Sequence, residues 1–132
     1  MKKIRIKKQQ TYIPAPEGND IFQIDRITYD ADKNRVTVWA DMLKAGRKHV
    51  EGFNLDSDFR ANVLGDLLAV ALDVPDLETY DETTLAEAEG CQFKAEIMHR
   101  DWDGKTIAGF EHRSFEPVSR YYDFGDSVTA IG

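Results

Sequence analysis

A strict alternation of apolar and polar residues between positions 35 and 43 constrains the fold of this chain more than any other sequence feature. Its apolar positions are Val36, Val38, Ala40 and Met42, and the positions between them are Arg35, Thr37, Trp39 and Asp41. Successive side chains of a β-strand point to opposite faces of its sheet, so this period of two predicts a strand with one buried face.

Two further strands are predicted around it, over residues 21–29 and 47–55. Turn-forming residues at 30–34 and 44–46 join the three strands into a meander. Gly52 interrupts the pattern of the third strand, and we expect a β-bulge there that turns both Val50 and Phe53 towards the core.

A helix is predicted after the meander, because Asp56, Ser57 and Asp58 offer capping side chains at its start and Pro75 stops it. Its apolar stripe consists of Phe59, Val63, Leu64, Leu67, Leu68 and Ala71. The segment 73–89 that follows contains seven acidic residues and no basic one. We expect a solvated connection there, with a short helical turn at 84–89.

A hairpin closes the predicted domain. A fourth strand is expected over 91–100 and a fifth over 105–115, and Asp103-Gly104 between them suits a type I′ turn. A meander, a helix and a hairpin follow one another in the OB-fold barrel. The predicted fold class is therefore mainly β: a five-stranded OB-like antiparallel barrel with an α-helix between strands three and four. The rival architecture is an α+β sandwich with the helix packed on an open sheet.

The chain has 132 residues and a net charge of −7, which suits one domain. We divide it into a basic flexible arm at 1–20, an OB-like domain at 21–118 and a C-terminal tail at 119–132. The cations of the arm are Lys2, Lys3, Arg5, Lys7 and Lys8. The single cysteine, the absence of a leader pattern and the lack of a long apolar run predict a cytoplasmic protein that makes no membrane contact.

Several short motifs in the second half recur in a known family. They are Leu85, the run 90–96 (GCQFKAE), the hairpin 101–105 (DWDGK) and residues 115–117 (FEP). With these motifs the stretch 53–117 resembles a family of bacteriophage and prophage proteins related to single-stranded DNA-binding proteins. The resemblance implies an OB-like fold and a role in phage or mobile-element DNA replication or recombination.

Single-stranded nucleic acid is bound by aromatic side chains that stack on bases and by cations that track the phosphates. In OB-folds the binding surface covers strands two and three and the loops beside them. The residues predicted to bind nucleic acid are Arg35, Trp39, Lys44, Arg47, Lys48, Arg100, Trp102 and Lys105. Two alternatives stay open: Trp39 packs under the arm or the tail, and Trp102 packs on its own hairpin.

The sequence supplies no motif for catalysis or for a metal. His49, His99, His112 and Cys91 lack ligand spacing, and no nucleophile or phosphate-loop motif occurs. We therefore expect a non-enzymatic single-stranded DNA-binding protein without a cofactor. The alternative is a protein-interaction or structural module of a phage or mobile element. It would contact replication or recombination proteins through the acidic segment 73–89 or use the aromatic tail with Tyr121, Tyr122 and Phe124, and a homo-oligomer stays open.

Overall fold

The computed structural model describes residues 1–4 and 13–118. Within this part, five strands and two helices follow one another along the chain. Their bounds are β1 Gly18–Asp30, β2 Arg35–Met42, β3 Arg47–Asn54, α1 Asp58–Leu72, α2 Glu82–Ala88, β4 Gln92–Trp102 and β5 Lys105–Phe110. The cations Arg5, Lys7 and Lys8 of the predicted arm lie outside the described residues, and so does the predicted tail at 119–132.

The strands form one antiparallel sheet in the order β3-β2-β1-β4-β5, which curls into a half-barrel. The predicted fold class is confirmed: the chain is mainly β, and its topology is consistent with an OB-like fold that has a helix between β3 and β4. The long strand β1 lies at the centre of the sheet and pairs with both β2 and β4. Its first half pairs with β4, and its whole length after Ile21 pairs with β2 across a bulge between Ile24 and Arg26.

The inner face of the half-barrel is apolar and closed by α1. The alternation predicted for β2 is confirmed, because Val36, Val38, Ala40 and Met42 are all buried. The buried face of α1 presents Val63, Leu64, Leu67 and Leu68 to this core. Burial of this apolar surface is the main source of stability for the fold. Ser57 caps α1 by accepting a hydrogen bond from the backbone N–H of Arg60 at 3.2 Å.

Two details of the predicted packing are wrong. β3 has no bulge at Gly52, because its pairing with β2 continues in register and leaves Val50 on the outer face. The guanidinium of Arg35 lies over Gly52, where a Cβ atom would come 2.1 Å from Nη2, so a larger residue at this position would displace the Arg35 side chain. Phe59 is exposed at the start of α1, where it contacts the ring of His112 edge-on, so it does not join the core stripe.

The second hairpin confirms the turn prediction. Asp103 and Gly104 have φ angles of 51° and 72°, as a type I′ turn requires, and Trp102 pairs with Lys105 across the strands. β5 is shorter than predicted and ends at Phe110, after which residues 111–118 follow an irregular path with one bridge between Lys94 and Glu116. Neither helix of the described part of the chain is long and apolar enough to cross a membrane.

Candidate nucleic-acid interface

The first candidate surface lies on the outer face of the meander. Trp39 of β2 stands between Arg26 of β1 and Val50 of β3 in the strand register. The Arg26 guanidinium carbon lies 4.0 Å from the centroid of the indole, a cation–π contact that covers part of the ring. We call Arg26, Trp39 and Val50, together with the lysine and carboxylates described next, the Trp39 patch.

The lysine of this patch is held by two carboxylates. Nζ of Lys48 lies 2.9 Å from Oδ1 of Asp41 and 3.2 Å from Oδ2 of Asp25. The hydrogen bonds to Asp41 and then Asp25 raise the pKa of Lys48 above its ordinary value. All three side chains are about half exposed. A phosphate that approached Lys48 would therefore meet two negative charges beside it.

The predicted cations at the β2–β3 turn have different surroundings. The buried carboxylate of Asp20 accepts hydrogen bonds from the backbone N–H groups of Lys44 at 2.8 Å and Ala45 at 2.9 Å, which fixes the turn. The side chain of Lys44 is exposed there. Arg47 instead donates to the carbonyl oxygens of Ile13 and Pro14 at 2.9 and 3.2 Å, so its guanidinium holds the incoming chain.

The second candidate surface is the end of the β4–β5 hairpin, which we call the Trp102 patch and define as Arg100, Trp102 and Lys105. The indole of Trp102 is 66% exposed. Side chains of a directly opposed pair lie on one face, so Lys105 flanks the indole, and Arg100 lies two residues earlier on the same face. Within the part of the chain that the structure describes, neither cation has an ion-pair partner. Both side chains are exposed to solvent.

A single carboxylate connects the two open edges of the half-barrel. No backbone ladder joins β3 to β5 among the described residues. In its place, Oε1 of Glu51 accepts from the backbone N–H of Phe110 and from Nε2 of His49, both at 2.8 Å, and Oε2 accepts from Nη2 of Arg60 at 3.0 Å. Glu51 and His49 are buried. We call this junction of β3 and β5 the seam.

The seam brings the two patches onto one surface. Val50 of the Trp39 patch immediately precedes Glu51 on β3, and Gly109 immediately precedes Phe110 on β5. Gly109 pairs with Met98, and Trp102 follows four residues further along β4, a rise of roughly 13 Å. Through β1 the two indoles lie about thirteen residues apart along the strands, roughly 43 Å, because Arg26 is opposite Trp39 and Phe22 is opposite Phe93. The path across the seam is therefore the shorter one.

Three residues of this arrangement were missed by sequence reasoning. Arg26 lies between the turn at 30–34 and the bulge in β1, so counting paired residues from the turn places it opposite Trp39, and this signal was available in the sequence. Glu51 and Asp20 look like ordinary polar positions in the sequence, yet both are buried and fully hydrogen-bonded. The only sequence signal for Glu51 was its place in the strand alternation, which puts an acidic residue on the inward face between Val50 and Phe53. The bulge that we expected at Gly52 would have interrupted this alternation, so the signal was not used.

Several acids of the segment 73–89 have structural roles. Asp73 ends α1 in the left-handed conformation, and Asp81 caps α2 by accepting from the N–H of Thr84 at 3.1 Å. Hydrogen bonding to Thr84 lowers the pKa of the Asp81 carboxyl. Oε2 of Glu89 accepts from the N–H of Ile27 at 3.0 Å, just after the bulge in β1. The segment lies beside the turn between β1 and β2, and its end at Glu89 adjoins Arg26 of the Trp39 patch.

No family of known proteins and no curated protein matches this chain. Its resemblance to phage single-strand binders therefore rests on the residues quoted above. Within residues 1–4 and 13–118, no group of three or more His, Cys, Asp or Glu side chains is placed to hold a metal ion.

Proposed function

We propose that this protein binds single-stranded DNA and acts by binding, without a catalytic step. The observation that supports this most is the Trp102 patch, where a mostly exposed indole lies beside Lys105 at the end of a hairpin. Leaving a large apolar ring in water gains nothing for folding, whereas a base can stack on it and a neighbouring ammonium can hold a phosphate.

The position of the patch supports the same function. In OB-like folds the loop between strands four and five borders the surface that takes oligonucleotides, and Trp102 and Lys105 lie in that hairpin. The Trp39 patch lies on the second strand, which contributes to the same kind of surface. The net charge of −7 does not favour broad contact with duplex DNA, which requires many cations. A short single strand requires fewer. The family resemblance extends this proposal to phage or mobile-element replication or recombination.

Fluorescence titration tests the proposal directly, because the chain contains only two tryptophans and both belong to the candidate surface. We expect a short oligodeoxythymidine to quench the emission, with an affinity that falls as salt increases. A duplex of equal length and an oligouridine are the comparison ligands, and they should bind more weakly. A wild-type titration without quenching or binding at low salt would overturn the proposal.

The second candidate function is a protein-interaction module, and one cavity favours it. A cavity of about 240 Å³ lies between Tyr29, Leu55 and Leu85, with Asp81 and Glu82 at its rim. An apolar floor with an acidic rim suits a segment of a partner that pairs an apolar side chain with lysine or arginine. If this is the function, charge reversal at Glu82 should abolish partner binding, whereas Trp102→Ala should leave it unchanged.

A further inference from the structure

The seam between β3 and β5 contains a cavity of about 300 Å³. Glu51 and Arg60 border it on the β3 and α1 side, and residues 98–100 and 109–113 border it on the other side. This volume lies at the lower end of the range for small-ligand sites, so it suits a group no larger than one nucleotide. The cavity exists because β5 ends at Phe110 and no strand pairing fills the gap.

The lining of this cavity is richer in cations than in acids. Its charged residues are Arg60, Arg100, Arg113, Glu51 and Glu111, so it has one net positive charge with its histidines neutral.

Both carboxylates of the cavity are already occupied. Glu51 accepts three hydrogen bonds, one of them from Arg60. Glu111 accepts from the backbone N–H of Arg113 at 2.9 Å and from its Nε at 3.4 Å, and it lies 3.3 Å from Nδ1 of His112. Arg100 has no ion-pair partner among the described residues. The guanidinium left over is of the kind that pairs with phosphate oxygens.

The cavity lies where the backbone of a bound strand would pass. It lies on the shorter path between Trp39 and Trp102, since Glu51 adjoins Val50 and Gly109 pairs with Met98 of β4. A strand with bases stacked on both indoles would carry its sugar-phosphate backbone across this gap. Gly109 keeps the gap open, because a side chain there would extend beside Glu51, whose Oε1 lies 3.6 Å from the place of a Cβ atom.

We propose that the seam cavity is a phosphate site that holds one phosphodiester group of the bound single strand, with Arg100 as its cation. This inference rests on the proposed function, and it adds a position where the backbone is held between the two tryptophans.

The test is a salt titration of oligodeoxythymidine binding by the full chain and by two kinds of variant. Gly109→Leu fills the cavity without changing any charge, and Gly109→Ala is its matched control because one methyl group makes only ordinary contact there. Arg100→Gln removes the cation of the cavity that has no ion-pair partner among the described residues, and Lys33→Gln, in the exposed turn between β1 and β2, removes one far from it. Melting temperatures are measured for all four variants.

Loss of one phosphate contact lowers the slope of log K against log salt by about 0.7 for single strands. We expect that reduction for Gly109→Leu and Arg100→Gln, and the wild-type slope for Gly109→Ala and Lys33→Gln. If Gly109→Leu does not fold, Arg100→Gln decides alone, because its side chain is exposed and contributes little to folding. Binding with unchanged slopes overturns the phosphate site and leaves the proposed function standing, whereas no binding by the wild type overturns both.

Discussion

The two tryptophans of the candidate interface lie among similar residues but in different electrostatic surroundings. Around Trp39 the cations already have partners, because Arg26 covers the indole and Lys48 bridges Asp25 and Asp41. Around Trp102 the nearby cations have no ion-pair partner within the described residues, and the indole is mostly exposed. A ligand must displace existing contacts at the first patch and displaces only water at the second.

This difference shows what a cluster of tryptophan and cations in a sequence can and cannot establish. The cluster indicates that stacking and phosphate contacts are chemically available, whereas the strand register determines whether an acid neutralises each cation first. Lys48 lies on β3, Asp41 on the adjacent strand β2, and Asp25 on β1, one strand further. Lys48 reaches both carboxylates because the strand order places β2 between β1 and β3. We therefore expect the Trp102 patch to supply most of the binding free energy and the Trp39 patch to supply less.

The largest expected effect concerns the seam, because the distance between the two patches depends on it. Glu51→Ala removes a buried carboxylate and leaves the N–H of Phe110 and the side chains of His49 and Arg60 without their shared acceptor. Removing one partner of such a buried network costs about 3–5 kcal/mol. We expect a loss of that size in the free energy of unfolding, measured by urea denaturation.

The matched control for this variant is Glu78→Ala, which removes an exposed glutamate without a side-chain partner among the described residues. It should change stability by less than about 0.5 kcal/mol. If Glu51→Ala costs no more than Glu78→Ala, the carboxylate does not hold the seam, and the two patches are not brought onto one surface in the way described.

The next effect compares the two indoles directly. Stacking of a base on an aromatic ring is worth about 1–3 kcal/mol, so Trp102→Ala should weaken oligodeoxythymidine binding by about 5- to 100-fold. Its melting temperature should stay close to that of the wild type, since the indole is mostly exposed. Trp39→Ala should show the opposite pattern, with a smaller loss of affinity and a lower melting temperature, because its ring is half-buried under Arg26.

Equal losses of affinity for the two variants would break the comparison, since the partners of Trp39 would then not limit its access to a base. A lower melting temperature for Trp102→Ala without any change in affinity would instead favour the alternative in which this indole packs on its own hairpin. Fluorescence titration and thermal denaturation of the same preparations measure both quantities.

The sheet could be predicted from the sequence because its signals are local. The alternation in β2 and the Asp103-Gly104 turn depend only on neighbouring residues, and both predictions are confirmed. The failures concern Gly52 and Phe59, whose roles depend on residues distant in the fold. Arg35 fills the space above Gly52, and the irregular segment after β5 brings His112 to Phe59.

The candidate site was less predictable for the same physical reason. Local sequence was enough to select Trp39, Trp102 and the cations near them as candidate binding residues. The carboxylates that pair with Lys48, however, lie on other strands. Arg47 had the sequence features of a phosphate contact, yet it donates to the backbone at Ile13 and Pro14. Side-chain ion pairing between strands depends on register, which the sequence of one strand does not specify.

A smaller effect is expected when one lysine of each patch is replaced and the salt dependence of oligonucleotide binding is compared. Lys105→Gln should lower the slope of log K against log salt by about 0.7, the value for one phosphate contact to a single strand. Lys48→Gln should leave the slope unchanged, because two carboxylates already neutralise that ammonium. A reduced slope for Lys48→Gln with a normal slope for Lys105→Gln would assign the phosphate contacts to the meander and reverse the comparison.

The smallest effect concerns the guanidinium that covers Trp39. Arg26→Gln removes the cation–π contact, which is worth about 0.5–1 kcal/mol at an exposed site, so the free energy of unfolding should fall by that amount. Affinity for oligodeoxythymidine should change by less than about twofold, because the Trp102 patch is untouched and Arg26 binds the ring in preference to phosphate. Lys33→Gln, which removes an exposed cation from the turn that follows β1, controls for the change in net charge. If Arg26→Gln weakens binding tenfold while Lys33→Gln does not, Arg26 holds the strand itself, and the Trp39 patch is then a binding surface whose guanidinium turns from the indole to the phosphate.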